Sequence, residues 1–364
     1  MKNELTSFPS GKAAIFNGSG IPFEFIEKDV PQLKDGEILV KNLYTTLCGS
    51  DIHTYCGHRI EPAQVVLGHE IVGEILSMGE ADIVKDFRGE PIKVGDRITW
   101  SIFAVPAGIG APRPDMPQKS DHLYKYGHTL ASENNIFSGG LADYCVLQPN
   151  TAFIKISSSV PVKVAATISC AHSTVMGALR VAEQIENKRV IVFGAGLLGL
   201  SCVAMCKEAG AQWIGLIDND QTRLQWGGKF GADEVYPPIT EDHAGDLPWP
   251  EADVVFDMTG NPGAMKIGID SLALGGCAVW IGAVFPAKPV QVDAQKIVRK
   301  LLQIRGLHNY NYDDFVNATR FIEDNYSKYP FEDLIEKEYS LNDIEAAFKY
   351  ASESKPVRVG IKIS

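Results

Sequence analysis

Positive charge is scarce in this chain. Its 34 lysines and arginines are outnumbered by 45 aspartates and glutamates, giving a formal net charge of −11. That balance argues against a nucleic-acid backbone or an anionic membrane surface as the main partner, while leaving room for a local basic pocket that takes a small anion. Membrane-length apolar runs are lacking too. Val190 to Cys206 is uncharged, but it is slightly short for a span and is interrupted by Gly194, Gly196 and Gly199, so a buried strand turning into a buried helix accounts for it better. The opening Met1–Ser10 has no apolar core of the secretory type. A disulfide framework is also missing. The seven cysteines (Cys48, Cys56, Cys145, Cys170, Cys202, Cys206 and Cys277) are odd in number and scattered, which points to free thiols and a cytoplasmic location. Cys202 and Cys206, one helical turn apart, read as small core residues.

What is present suggests an α/β protein of two domains. A chain of 364 residues with 45% apolar content exceeds one ordinary core. The first 150 or so residues read as β-rich, with short apolar runs at 12–16, 37–42, 70–76 and 97–101 punctuated by Gly, Pro and Asp. Between Phe103 and Asn135 lies a long stretch with little periodicity, expected as a functional loop. From about Ala165 strands alternate with helices: strand 189–193, helix 197–209, strand 213–218, helix 221–230, strand 253–258, helix 263–274 and strand 276–281. That alternation implies a doubly wound parallel sheet. A helix over 344–350 preceded by Ser340 and a final strand over 357–363 return to the mixed texture. The expected division is 1–165 with 310–364 as one domain and 166–309 as the other.

The run Val190-Ile-Val-Phe-Gly194-Ala-Gly196-Leu197-Leu198-Gly199 fits G-x-G-x-x-G directly after a strand. Gly194 permits the tight turn, Gly196 lets backbone approach a pyrophosphate, and Gly199 lets the next helix pack closely, with the amides of Leu197 and Leu198 at its N-terminus facing the anion. Asp218 follows nineteen positions after Gly199, where a carboxylate accepts from ribose hydroxyls and repels a 2′-phosphate, favouring NAD over NADP. Arg223 is a further candidate for the ribose, or a solvated helix arginine.

Three separated segments carry metal-ligand chemistry: Cys48-Gly-Ser50-Asp51-Ile-His53, Gly68-His69-Glu70-Ile-Val-Gly73, and Ser169-Cys170-Ala-His172. Two thiolates and an imidazole form a soft, borderline set suited to zinc with one open position. Each residue alone reads as a buried Cys or a core His; the context gives them weight.

Over nearly its whole length the chain resembles the zinc-containing medium-chain alcohol dehydrogenases, through these segments, Val94-Gly-Asp-Arg97, the glycine run with Asp218, and Lys355-Pro-Val-Arg358. The resemblance implies a GroES-like catalytic domain plus a Rossmann domain, with the active site in the cleft between them. It implies Cys48, His69 and Cys170 as zinc ligands and Glu70 as a carboxylate able to enter or tune the metal shell. It further implies Ser50 and His53 as a proton relay, Arg358 as a pyrophosphate contact, and hydride exchange between NAD and a small alcohol or aldehyde. A homodimer or homotetramer is expected on the same ground, with Gly276–Val284 either the edge strand through which copies pair or an internal strand near the nicotinamide. Many relatives hold a structural zinc with four clustered cysteines, whereas Trp100 to Asn135 contains none, so one zinc per chain is expected. Arg59, with His58 and with Lys125 and His128 of the 125–128 segment, either clamps an anionic substrate or is a solvated loop arginine. The segments around Tyr126-Gly-His128, Pro117-Gln-Lys119 and Gly306–Tyr310 resemble a subgroup associated with phosphonate metabolism. A zinc-free quinone reductase of the same superfamily, or a non-catalytic nucleotide-binding protein, are the competing readings; metal content and NADH turnover separate them.

Overall fold

The computed structural model describes residues 10–61, 64–79, 85–106, 113, 115–133, 135–239, 247–284 and 286–363. Residues 1–9 of the opening segment and 107–112, 114 and 134 of the long Phe103–Asn135 stretch, both used in the sequence reading, lie outside that set. The chain divides into two compact units: 1–170 with 311–326 and 331–364, and 171–310 with 327–330. The first break thus falls five residues beyond the expected 165/166, and Cys170 closes the first unit.

The first unit is β-rich. Strands β1 (Ser10–Ile15) and β2 (Glu24–Asp29) pair antiparallel. Six further strands precede residue 156: β3 (Ile38–Leu47), β4 (Glu70–Met78), β5 (Arg97–Ala104), β6 (Tyr124–Lys125), β7 (Tyr144–Leu147) and β8 (Thr151–Lys155). They join β15 (Ile335–Ser340) and β16 (Arg358–Lys362) from the chain's end. The order is β15-β16-β3-β4-β5-β6, with β7 on β3 and β8 on β5. β16 lies antiparallel to β3, Val359 opposite Leu47, which brings the C-terminal segment beside the strand that leads into Cys48. One apolar cluster holds Leu39, Leu47, Val66, Phe137, Phe348 and Ile361 together; a second, with Val40, Ile71, Trp100, Tyr126 and Cys145, fills another part of the same unit.

The second unit is a six-stranded parallel sheet: β9 (Arg189–Phe193), β10 (Trp213–Ile217), β11 (Glu234–Tyr236), β12 (Ala252–Asp257), β13 (Leu272–Trp280) and β14 (Gln303–Gly306). Their order is β11-β10-β9-β12-β13-β14, or 3-2-1-4-5-6 within the unit, the doubly wound order that creates a crevice at the strands' carboxyl ends. Three expectations need correcting. Gly276–Val284 is no edge strand, because β13 is paired on both sides, with β12 and β14. The helix expected over 263–274 ends at Asp270 and Leu272 already belongs to β13: Asn261 caps its start by accepting from Gly263 and Ala264 amides, and the apolar Leu272-Ala-Leu run suits either state. The helix expected over 221–230 is two short pieces, Gln221–Leu224 and Gly227–Phe230, separated at Gln225 and Trp226 just before two glycines of low helix propensity.

Among the described residues one helical stretch, Val162–Ala182, is long and apolar enough to cross a membrane, but 78% of its most apolar window is buried in the protein. The Val190–Cys206 run resolves as β9, the glycine turn and the helix Leu197–Glu208.

Candidate metal centre and dinucleotide site

The three suspected metal ligands come from three different local structures. Cys48 follows β3 with extended backbone and starts the helix Gly49–Tyr55. Its amide, one of the orphan donors of a helix start, donates to Asp51 Oδ2 over 2.9 Å. The other oxygen of the same carboxylate lies 3.3 Å from His69 Nδ1, off hydrogen-bond alignment, and accepts weakly from the Gly68 amide over 3.4 Å. His69 directly precedes β4. Cys170 sits in a single π-helical turn, Ile168–His172, within an otherwise α-helical run, the kind of one-residue widening that re-aims side chains at functional sites. Beside it, Ser169 Oγ donates to the His69 carbonyl over 3.0 Å and accepts from the Ile71 amide over 3.3 Å, tying the turn to the start of β4.

As a result the ligand atoms of Cys48, His69 and Cys170 all lie within 4.8 Å of one another. Bond lengths of about 2.3 Å to sulfur and 2.0 Å to nitrogen put tetrahedral ligands roughly 3.5–3.8 Å apart, so a modest contraction closes the set on one ion. Within the trio the hydrogen bond between the two thiols pushes their pKa values apart, Cys48 down and Cys170 up. A hydrogen bond from Cys170 holds the Cys48 thiol well below its ordinary range against the opposing push of burial, with His69 and Arg358 helping. Burial works against a charged His69 ring, but Asp51 and then Cys48 outweigh it and raise its pKa well above the usual value. By residue type and convergence, two sulfurs and one imidazole nitrogen, the donor set fits zinc.

Glu70 is fully buried and directly follows His69. Burial pushes its carboxyl up to about 7, with Arg358 opposing. Arg358 donates to Glu70 Oε1 over 3.2 Å and to the Leu47 carbonyl over 3.1 Å, and the Thr46 hydroxyl donates to the other Glu70 oxygen. The described contacts of Arg358, matched by resemblance to a pyrophosphate, thus lie around the metal ligands. Ser50 Oγ comes within 3.4 Å of His69 Nε2. His53, one turn along the same helix face, is partly buried; burial and the neighbouring His58 lower its pKa.

In the second unit the glycine run behaves as its spacing suggests. Gly194 has φ +104, and its amide donates to the Ile217 carbonyl over 2.7 Å. A Cβ on Gly199 would come within 1.6 Å of the Gly194 carbonyl oxygen, so only glycine lets the helix Leu197–Glu208 start so close to β9. Leu197 and Leu198 open that helix. Asp218, just past β10, accepts from the Ala195 amide over 2.5 Å and from Asp220 over 2.8 Å, fixing its carboxylate at the turn. Arg223 Nη1 lies 3.9 Å from where a Gly196 Cβ would be. These features fit a nicotinamide dinucleotide.

Two family models cover most of the chain: the alcohol dehydrogenase GroES-like domain over residues 34–158 and the zinc-binding dehydrogenase over 198–324. This chain belongs to the zinc-dependent medium-chain alcohol dehydrogenases. It is therefore an oxidoreductase of alcohol dehydrogenase type with zinc and NAD as cofactors. Among its relatives, the D-arabitol-phosphate dehydrogenase of Enterococcus avium is 27% identical, covering 93% of each chain. The L-threonine 3-dehydrogenase of Shewanella frigidimarina is 26% identical over 89% of this chain and 91% of its own. An alcohol dehydrogenase from Thermotoga maritima superposes with a TM-score of 0.88 at 24% identity, over 97% of this chain and 99% of that one.

Glu61, which reaches His69 through the His128 ring, was missed by sequence reading. Glu61 Oε1 lies 2.6 Å from Arg59 Nη2 and 3.1 Å from His128 Nδ1, joining two of the candidate residues for an anion clamp. Burial pushes Glu61 up, but His128 and then Arg59 hold it below the usual carboxylate range. The His128 ring packs on His69, centroids 5.0 Å apart. Gly127 permits this: its φ is +78, and a Cβ there would meet the Gly68 carbonyl oxygen at 2.7 Å. His58, another candidate for that clamp, is exposed, and its ring neighbours His53 at 5.7 Å. Asp51 and Ser169 were also missed; Asp51 was legible as the acid at the third position of a helix, but that pattern ordinarily marks only a cap.

Proposed function

We propose that this dehydrogenase moves a hydride between NAD(H) and a small alcohol or its carbonyl, with Cys48, His69 and Cys170 as the zinc ligands. The convergence of those three side chains within 4.8 Å carries the reading. Zinc, when bound, supplies Lewis acidity that lowers the pKa of an alcohol and polarises a carbonyl; NAD supplies the hydride acceptor. The chain's own residues handle the proton. Ser50 Oγ, next to the His69 ring, accepts it from the substrate hydroxyl and passes on its own. His53, kept basic only weakly by burial and His58, takes it toward solvent. Glu70, whose carboxyl burial pushes up to about 7 against Arg358, tunes the charge behind the ligands. Asp218 at the end of β10 supports NAD over NADP, and the lack of cysteine between Trp100 and Asn135 supports one zinc per chain.

The proposal extends to an anionic substrate. Arg59 and His128 beside the metal ligands support it, as does the relative whose name specifies a phosphate-bearing polyol. Glu61 counts against the simplest form, because it already offsets part of their charge.

The test of the zinc reading is Cys48→Ser. The variant should lose bound zinc by elemental analysis and lose NADH formation together, while full activity with undiminished zinc would refute the assignment.

A further inference from the structure

Asp257 is a buried carboxylate that neither the metal centre nor the proton path uses. It closes β12 and is 1% exposed. Its oxygens are taken up by the turn that follows. Oδ1 accepts from the Thr259 amide over 3.2 Å and from the Thr259 hydroxyl over 2.6 Å, and Oδ2 accepts from the Gly260 amide over 2.9 Å. Burial pushes the carboxyl's pKa up, while the Thr259 hydroxyl and the Gly260 and Thr259 amides pull it down. Thr259 Oγ1 in turn accepts from the Asn261 amide over 3.0 Å, so one side chain pins the turn over 258–261.

Both flanks of that turn are tight. The Asp257 carbonyl accepts from the Ile281 and Gly282 amides over 3.0 and 3.1 Å. Gly260 has φ +67, and a Cβ on it would stand 2.3 Å from the Gly282 carbonyl oxygen. On the other side, a Cβ on Gly194 would meet the Thr259 methyl at 3.1 Å and Met258 Cβ at 3.4 Å. The turn therefore fills the space between the glycine turn after β9 and the end of β13.

In the sheet order β11-β10-β9-β12-β13-β14, Asp218 past β10 marks the adenosine side and the glycine turn past β9 the pyrophosphate. A dinucleotide laid across the strands' carboxyl ends then carries its nicotinamide half over β12 and β13. We propose that Asp257 is a positioning residue for that half: its carboxylate fixes the 258–261 turn between Gly194 and Gly282 as the surface against which the nicotinamide riboside lies. This inference rests on the dinucleotide reading above. Asparagine cannot replace the carboxylate, because whichever way its amide turns, the NH2 faces a backbone N–H that needs an acceptor. Thr259→Val keeps the side chain's shape but removes the hydroxyl shared by Asp257 and Asn261; Thr259→Ser keeps the hydroxyl.

The experiment compares NADH with ADP-ribose, which has the adenosine and both phosphates but no nicotinamide, by fluorescence titration and calorimetry on the zinc-loaded enzyme. Asp257→Asn should weaken NADH at least tenfold, about 1.4 kcal/mol, with ADP-ribose unchanged. Thr259→Val should separate the two ligands in the same direction, and Thr259→Ser should bind both as the wild type does. Equal weakening of both ligands in Asp257→Asn, or unchanged NADH affinity in either variant, would overturn the positioning role while sparing the dinucleotide site. If Asp257→Asn does not fold, the Thr259 pair carries the test by the same outcomes. A wild type that binds neither ligand would overturn the dinucleotide reading itself.

Discussion

A single carboxylate organises much of the proposed metal centre. Asp51 takes up the Cys48 amide with one oxygen and faces His69 Nδ1 and the Gly68 amide with the other, so two ligands are aimed by one buried side chain. A carboxylate behind a ligating histidine fixes ring orientation and raises ligand basicity, and its loss costs about 10–100-fold in metal affinity. Asp51→Asn should weaken zinc binding by that amount in competition with a chromophoric chelator; unchanged affinity would reduce Asp51 to a helix cap. At this scale the sequence was readable where chemistry is concentrated in the residue type. Cys48, His69 and Cys170 announce themselves, because thiols and imidazoles in family context have few bland roles. Asp51, Ser169 and Glu61 do not. An acid early in a helix, a serine in an apolar turn and a glutamate in a loop are common everywhere, and only their partners in space, up to 100 positions away for Ser169 and His69, give them a role.

Elements carry the dinucleotide site. The turn between β9 and the helix Leu197–Glu208 depends on Gly199 standing against the Gly194 carbonyl, so that helix amides face the place of a pyrophosphate. Gly199→Ala forces helix and strand apart. It should lower stability by about 1–3 kcal/mol in denaturant unfolding and weaken NADH binding at least tenfold by fluorescence titration; normal NADH affinity would contradict this role for the glycine. The strand–glycine–helix pattern was legible because periodicity changes sharply at Gly194. Three features were not. The early start of β13 was hidden by an apolar run that suits helix and strand alike, the break near Gly227 by a pattern of otherwise helical residues, and the π-turn at Ile168–His172 by the absence of any local signature.

At the scale of the whole molecule, the metal centre depends on the far end of the chain. β16 inserts beside β3 and delivers Arg358 to Glu70, so the ligands lie in a unit assembled from three separate stretches of sequence. Alternating texture made the second unit readable as a parallel sheet. The exchange of segments near 311–330 was less so, since short stretches there belong by packing, not composition. The proposed ligands stand just after β3, just before β4 and in the π-turn, so an ion between them would tie those elements together. Zinc-edge X-ray absorption on the loaded protein tests this account most directly. It should show two sulfur ligands near 2.3 Å and a nitrogen near 2.0–2.1 Å; a shell of nitrogen and oxygen alone would contradict it.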